Sequence, residues 1–125
     1  MFSWFKHLFK KPKVELSTLH AIARKNFTYV RQDGEWKKSG RVFTVHDIHE
    51  PWSGDCDDWA SSMCFYLGNG AEYLEITTDD GSSHAICRYK GWISDLQYYS
   101  VYPDDGSLKI TFCCTSKAMK PIKGV

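Results

Sequence analysis

The sequence changes its pattern at Gly68, and this change constrains the fold more than any other feature. Before it, apolar residues recur at helical spacing from Leu16 to Phe27 and from Trp59 to Leu67. After it come four runs typical of strands, separated by turn residues: 71–77 (AEYLEIT), 84–89 (HAICRY), 92–98 (WISDLQY) and 107–114 (SLKITFCC). Helices followed by consecutive strands predict an α+β fold, in which N-terminal helices pack on an antiparallel β-meander.

The helical segments before Gly68 are separated by a long polar stretch. The first predicted core helix runs from Glu15 to about Phe27, and the second begins near Asp55. Residues 30–54 between them contain glycine, proline and polar residues, with one strand-like run at 41–45. We therefore predict mostly loop there, and a loop of this length in a compact domain is more often functional than idle.

The first thirteen residues, MFSWFKHLFKKPK, combine aromatic side chains with lysines. As a helix they would place Phe2, Phe5 and Phe9 on one stripe beside the lysines, and Pro12 would end this helix. One interpretation is a basic amphipathic anchor for a membrane surface or a partner protein. The other is a helix docked on the domain itself, which the short length of three turns favours. The chain thus divides into three parts: a basic amphipathic segment (1–13), a single domain (14–116) and a basic tail (117–125).

Size and charge exclude several classes of protein. The 125 residues fit one domain, and 42% hydrophobic with 15% aromatic residues exclude general disorder. Sixteen basic and fifteen acidic residues leave a net charge of +1, so no nucleic-acid partner is indicated. The sequence has neither an apolar run of the ~18–20 residues that a membrane span needs nor the pattern of a secretory signal. We expect a cytoplasmic monomer.

The cysteines are odd in number and lack the paired spacing of a metal site. There are five: Cys56, Cys64, Cys87, Cys113 and Cys114. Without a Cys-x-x-Cys pair or a secretory signal, free thiols in a reducing compartment are favoured over disulfides or zinc.

Cys56 falls in the first turn of the second predicted helix. Free backbone N–H groups and the helix dipole favour a thiolate there by roughly 0.3–1 kcal/mol, and the same groups can stabilise an oxyanion. The flanking Asp55, Asp57 and Asp58 oppose the thiolate, each by ~0.7 kcal/mol at about 6 Å in a water-like dielectric. A protonated histidine or a bound divalent metal must therefore offset them if Cys56 is a nucleophile. The aspartates would also cap the helix.

His84 is the best candidate for that cation, because it opens a strand directly after a turn. If residues 90–91 form a two-residue turn, Arg88 pairs with Ile93 and Asp95 becomes the diagonal neighbour of His84, within reach of its imidazole. A shift of one residue would send Asp95 to the opposite face. A purely structural role for all three residues stays open. The other histidines lie in the terminal segment, mid-helix or in the loop: His7, His20, His46 and His49.

These residues resemble a family. The run from Gly54 to Ala60 (GDCDDWA) resembles the Gly-Asp-Cys-Glu/Asp-Asp-aromatic-Ala signature of transglutaminase-like cysteine peptidases, particularly the bacterial group that cleaves surface adhesins. His84 and Asp95 look like that family's histidine and aspartate, and the resemblance spans roughly residues 26–97. Upstream, four spaced residues are similar to those that precede the family's cysteine: Asn26, Tyr29, Asp33 and Trp36.

The resemblance implies a papain-like fold with Cys56 as nucleophile, His84 as general base and Asp95 as its orienter. It also implies an oxyanion donor at Trp36, although Trp52 lies closer to the cysteine in sequence. No cofactor is required, but the family's calcium-binding acidic residues correspond to two positions here: Asp55 and Asp57. Calcium prefers several oxygen ligands, and two aspartates alone make a poor site.

The resulting hypothesis is a cysteine peptidase or amidase of phage or bacterial type that acts on protein or peptide substrates through a thioester. Transglutaminase or deamidase activity on glutamine side chains would use the same three residues and stays open. So does a non-catalytic protein-binding module on the same fold. The chain is shorter than the bacterial proteases and lacks their secretory signal, so their substrate and compartment do not transfer to it.

Overall fold

The computed structural model describes residues 2–31 and 42–123, with side chains from Lys11 to Arg31 and from Phe43 onward. These described residues form two helices, nine strands and a 3-10 turn, in an α+β arrangement that confirms the predicted class. In chain order they are α1 (Phe2–Asn26), β1 (Phe27–Tyr29), β2 (Val42–Val45), β3 (Trp52–Gly54), α2 (Cys56–Leu67), β4 (Ala71–Thr77), β5 (Ser83–Tyr89), β6 (Trp92–Ser94), β7 (Tyr102–Pro103), β8 (Ile110–Thr115), the 3-10 turn (Ser116–Ala118) and β9 (Lys120–Lys123).

Helix α1 is continuous through Pro12, so the prediction that Pro12 ends a separate terminal helix is wrong. Proline removes one backbone hydrogen bond, but the turns on either side remain free to be helical. The second half of α1 is the predicted core helix, with Leu16 and Ala23 fully buried. The predicted stripe of Phe2, Phe5 and Phe9 concerns side chains outside the described part. No helix in the described ranges combines the length and apolarity needed to cross a membrane.

The five-stranded sheet is antiparallel throughout, in the order β7-β6-β5-β4-β8. Strands β4, β5 and β6 form the predicted meander, and the pairing of Arg88 with Ile93 confirms the predicted register. The last strand differs from the prediction, because β8 pairs with β4 on the other side of the sheet. Strand β7 pairs instead with β6 and forms the edge of the sheet. Pro103 fits an edge strand, because it lacks the N–H that a central strand would need.

Strand β6 is shorter than the predicted run over 92–98, because the chain turns at Asp95. The Asp95 carboxylate accepts a hydrogen bond from the Gln97 N–H at 2.9 Å, and the Asp95 carbonyl accepts one from the Tyr98 N–H at 3.0 Å. These local hydrogen bonds take the place of the hydrogen bonds to a neighbouring strand. Asp95 therefore lies in a turn directly after β6 instead of inside the strand.

Helix α2 packs between α1 and one face of the sheet, and its bounds confirm the predicted second helix. Trp59, Met63 and Tyr73 are fully buried in this interface. The sulfurs of Cys64 and Cys87 touch at 3.2 Å across it, and all five cysteines are free thiols, as predicted. The opposite face of the sheet carries a smaller apolar cluster: Leu74, Ile76, Ile86 and Ile93, with Tyr102 and Leu108 packed against it.

Two short parallel pairs complete the fold. Strand β1 pairs with β3, and β2 pairs with β9. Strand β2 confirms the strand-like run predicted at 41–45, whereas β3 lies where loop is predicted. The basic tail, residues 117–125, likewise supplies the strand that pairs with β2. These contacts join segments far apart in sequence, which local patterns do not reveal.

Candidate active site

Cys56 is the first residue of α2, and its side chain is partly exposed. Asp55 occupies the N-cap, and its backbone N–H donates a hydrogen bond to the Asp58 carboxylate at 3.1 Å. The preceding Gly54 lies so close to Asp58 that a Cβ atom there would stand 2.5 Å from the Asp58 Cβ. The glycine of the sequence motif thus lets strand β3 meet the first turn of α2.

His84 and Asp95 form a buried pair, as the predicted register requires. The imidazole Nε2 lies 2.9 Å from Asp95 Oδ1, and the two side chains are only 9% and 4% exposed. Because Nε2 is bonded to the carboxylate, Nδ1 is the nitrogen available to Cys56. The carboxylate thereby fixes both the orientation and the tautomer of the ring.

The surroundings of His84 favour its protonated form. Burial lowers its pKa, but hydrogen bonds to Asp95 and to the Cys56 side chain, with their charges, outweigh burial and raise the pKa to about 10. An imidazolium at neutral pH is the cation that a thiolate at Cys56 needs. The structure therefore brings together the three predicted site residues, each from a different element.

The acidic cluster beside Cys56 is less negative than its sequence indicates. Burial, together with the carboxylates of Asp57 and Asp58, raises the pKa of Asp55 to about 8, so Asp55 is largely protonated at neutral pH. Burial also acts to raise the pKa of Asp58, but hydrogen bonds from His46 and from the Asp55 backbone outweigh it and lower that pKa. Asp58 is thus ionised beside a histidine, and one of the three expected negative charges is absent.

His46 is a site residue that the sequence did not single out. Its Nε2 lies 3.1 Å from Asp58 Oδ1, and both side chains are at most 10% exposed. The ring also packs at 5.5 Å against Trp52. His46 follows β2 directly, so it ties that strand to the first turn of α2. Nothing in its local sequence distinguishes it from a surface histidine.

The carboxylates of Asp55, Asp57 and Asp58 each place an oxygen within 4.8 Å of the others. Asp55 Oδ1 is buried and, within the described part of the chain, has no hydrogen-bond partner. The expected calcium site at Asp55 and Asp57 thus stays a prediction, and a cation there would have these carboxylate oxygens as ligands. Calcium takes six to eight oxygens, and the rest would come from backbone carbonyls or water.

The sequence offers two tryptophans as oxyanion donors, and the structure describes one of them. Trp36 lies outside the described residues. The Trp52 indole N–H donates to the Ala23 carbonyl of α1 at 3.1 Å, so it is not free for an oxyanion. Among the described residues, the backbone N–H groups at the start of α2 can donate to an oxyanion, because they have no acceptor within the helix.

A buried polar network holds the turn that carries Asp95. Burial lowers the pKa of His20, so its ring is neutral. Its Nε2–H donates to the Tyr98 carbonyl at 2.9 Å, and its Nδ1 accepts from the Ser94 hydroxyl at 2.7 Å. The Ser94 oxygen in turn accepts the Trp59 indole N–H at 3.1 Å. His20 lies at helical spacing from Leu16, which indicates a buried position, but the partners of His20 could not be predicted.

No family model matches the chain, and no curated protein matches it significantly. The candidate site therefore has to be interpreted from its own geometry.

Proposed function

We propose that the protein is a cysteine peptidase or amidase that acts on protein substrates through a thioester at Cys56, in a papain-like or transglutaminase-like arrangement. The observation that carries this proposal is the buried pair of His84 and Asp95, whose histidine is protonated and interacts electrostatically with Cys56 at the start of a helix. Nucleophile, proton carrier and orienting group are the three parts that covalent acyl transfer needs.

In the first half-reaction the Cys56 thiolate attacks the substrate carbonyl carbon. The negative charge moves to the carbonyl oxygen, where N–H groups at the start of α2 stabilise it. The imidazolium of His84 then gives its proton to the leaving nitrogen, the C–N bond breaks, and a thioester remains. His84 acts as the acid in this step, because it already holds the proton before the attack.

In the second half-reaction a water molecule attacks the thioester carbon. His84, now neutral, removes a proton from this water, and the C–S bond breaks as the acid product forms. The sulfur leaves as a thiolate beside the newly protonated imidazole, which restores the starting pair. Asp95 stabilises the imidazolium and holds Nδ1 toward the sulfur throughout.

The proposal is tested by the selectivity of iodoacetamide for Cys56. Cys113 is the internal reference: it is more exposed, but burial and the Glu72 carboxylate raise its pKa. At pH 6 we expect Cys56 to be alkylated at least about tenfold faster than Cys113, since an ordinary thiol with a pKa near 8.5 is then almost fully protonated. Mass spectrometry of the labelled peptides gives both rates in one sample.

The variant His84→Gln should abolish this selectivity, and a rate that rises tenfold per pH unit up to about pH 8.5 should replace it. Hydrolysis of a p-nitrophenyl ester by the wild type, absent in Cys56→Ala, would show turnover. Uniformly slow labelling of all five thiols, with no ester hydrolysis, would contradict the proposal and favour the non-catalytic binding module.

A further inference from the structure

A groove of about 570 Å³ has His84 and Asp95 in its wall and extends over part of the smaller apolar cluster of the sheet. Its apolar side is formed by Ile76, Val101 and Leu108, and its polar side by the turn after β4 and the loop after β7. Tyr98 and Tyr102 line one end and contact each other with ring centres 5.1 Å apart. The groove is thus large enough for one or two amino-acid side chains beside the reacting groups.

The rim of this groove carries more negative than positive charge. Asp79 and Asp105 are exposed on it, and the hydrogen bonds that Asp105 accepts from Ser107 lower its pKa, so it is ionised at neutral pH. Two basic side chains line the groove, those of Lys109 and His84, and the charge of His84 is already paired with Asp95.

A third rim carboxylate, that of Asp104, is already paired. Arg88 donates to Asp104 at 3.1 Å and also to Glu72 at 2.9 Å, so one guanidinium is shared between two carboxylates. Arg88, Glu72 and Asp104 together carry a net charge of −1, so the rim as a whole remains negative. A cationic side chain in the groove would therefore meet an attractive potential.

The position of the groove relative to the reacting side chains determines which part of a substrate the groove would bind. His84 and Asp95 are in the groove wall, and Cys56 is outside it. The histidine delivers its proton to the leaving nitrogen, so the part of the substrate attached to that nitrogen must lie on the histidine side of the sulfur. The same side receives the nucleophile that resolves the thioester.

We propose that this groove binds the part of a peptide substrate that follows the scissile bond, and that it prefers a lysine or arginine side chain there. This inference rests on the proposed acyl-transfer function. It extends that function by assigning a substrate class to one side of the site, with the acidic rim as the source of the preference.

The test uses acceptor peptides that compete for one acyl-enzyme. A p-nitrophenyl ester of N-acetylglycine loads Cys56 without needing the groove, and p-nitrophenol release reports this step. Three acceptors that share an N-terminal glycine amine are then added: Gly-Lys-amide, Gly-Gln-amide and Gly-Glu-amide. Only products joined at the glycine amine are counted, which excludes attack by the lysine side chain. When one reacts, its nitrogen bonds to the acyl carbon, the C–S bond breaks, and His84 takes the amine proton. Because the acceptors share one intermediate, the product ratio does not depend on how fast that intermediate forms.

We expect the lysine peptide to be favoured over the glutamate peptide by about tenfold at low salt and less at 0.5 M NaCl, since the rim charges are exposed to screening. Asp79→Asn combined with Asp105→Asn should reduce the preference below about threefold. Asparagine keeps the side-chain oxygen at position 105 that accepts hydrogen bonds in the turn. Glu50→Gln, which removes an exposed carboxylate outside the groove, should leave the preference intact.

The outcomes separate the two proposals. Absence of p-nitrophenol release above that of Cys56→Ala would overturn the proposed function and the groove assignment with it. Release accompanied by equal use of the three acceptors, or by none, would overturn the groove assignment alone. A lysine preference that survives both the double variant and high salt would likewise contradict the acidic rim as its source.

Discussion

Gly54 shows how a single residue shapes the start of helix α2. A methyl group at this position would overlap the Asp58 side chain, with the nearest atom at 2.5 Å. We expect Gly54→Ala to lower the free energy of unfolding by about 1–3 kcal/mol, as overpacking typically does. Urea unfolding followed by circular dichroism measures this. Ser53→Ala is the matched control, since Ser53 is exposed on the same strand, and equal stability of the two variants would contradict the steric role.

Asp55 makes stability depend on pH. Its pKa is raised from 3.8 to about 8 in the folded chain, so the folded state holds a proton that the unfolded state releases. The stabilisation is fully present below pH 3.8 and is lost as the pH rises through 8. We therefore expect the contribution of Asp55 to the free energy of unfolding to decrease between pH 3.8 and about 8. The variant Asp55→Asn should show a smaller decrease over the same range. Urea unfolding at several pH values measures both, and identical pH profiles would contradict the assignment.

Calcium should act on the same carboxyl group in the opposite sense. A cation binds the ionised form, so it must displace the proton from Asp55. We expect calcium to raise the melting temperature more at pH 8.5 than at pH 6, and a chelator to reverse the increase. Asp55→Asn should lose most of the effect. A melting temperature that calcium and chelator leave unchanged at both pH values would remove the metal proposal.

The pairing of His84 with Asp95 could be predicted because a two-residue turn fixes the register of its hairpin. The charge state of the acidic cluster could not. Whether Asp55 keeps its proton depends on its burial and on the distances to its neighbours. His46 reaches Asp58 from the end of β2, and local sequence does not reveal that this strand packs beside α2. Predicting such contacts requires the tertiary structure.

At the level of elements, Ser94 joins α1, α2 and the turn after β6. Ser94→Ala would leave the His20 Nδ1 and the Trp59 N–H unpaired in the core, and we expect a loss of about 1–3 kcal/mol in stability. Because Asp95 is then held less firmly, the pKa of His84 should fall toward its ordinary value. Proton NMR titration of the imidazole measures this shift.

A double-mutant cycle checks the network. Ser94→Ala and His20→Ala remove the same hydrogen bond, so their effects on stability should deviate from additivity by at least about 0.5 kcal/mol. Additive losses with an unchanged pKa of His84 would limit Ser94 to a packing role and contradict its action on Asp95.

Local patterns predicted some elements and missed others for identifiable reasons. Helix α2 and strands β4 and β5 are predicted correctly, because in each the apolar residues recur at a clear spacing and a turn or cap marks the ends. The continuation of α1 through Pro12 was missed, since a proline is usually a boundary. The position of β8 beside β4 was missed as well, because sequence order favours pairing between consecutive strands.

For the molecule as a whole, the candidate site depends on global folding. Cys56, His84 and Asp95 come from α2, β5 and the turn after β6, and α1 holds that turn through His20. We therefore expect the ratio of Cys56 to Cys113 alkylation to fall with the same urea midpoint as the circular dichroism signal. Loss of the ratio at clearly lower urea would show that the site opens before the rest of the fold.

The parallel contact between β2 and β9 has a consequence for the order of folding events. It joins a strand that precedes α2 to the last described strand, whereas β4, β5 and β6 are joined by short turns. Closing a long loop costs more entropy than closing a short one, so the hairpins should form early and this contact late. His84 and Asp95 would then meet first, and His46 would reach Asp58 only when the final strand has docked. The reactivity of the sulfur would mature in two kinetic phases, the slower set by the last segment to arrive.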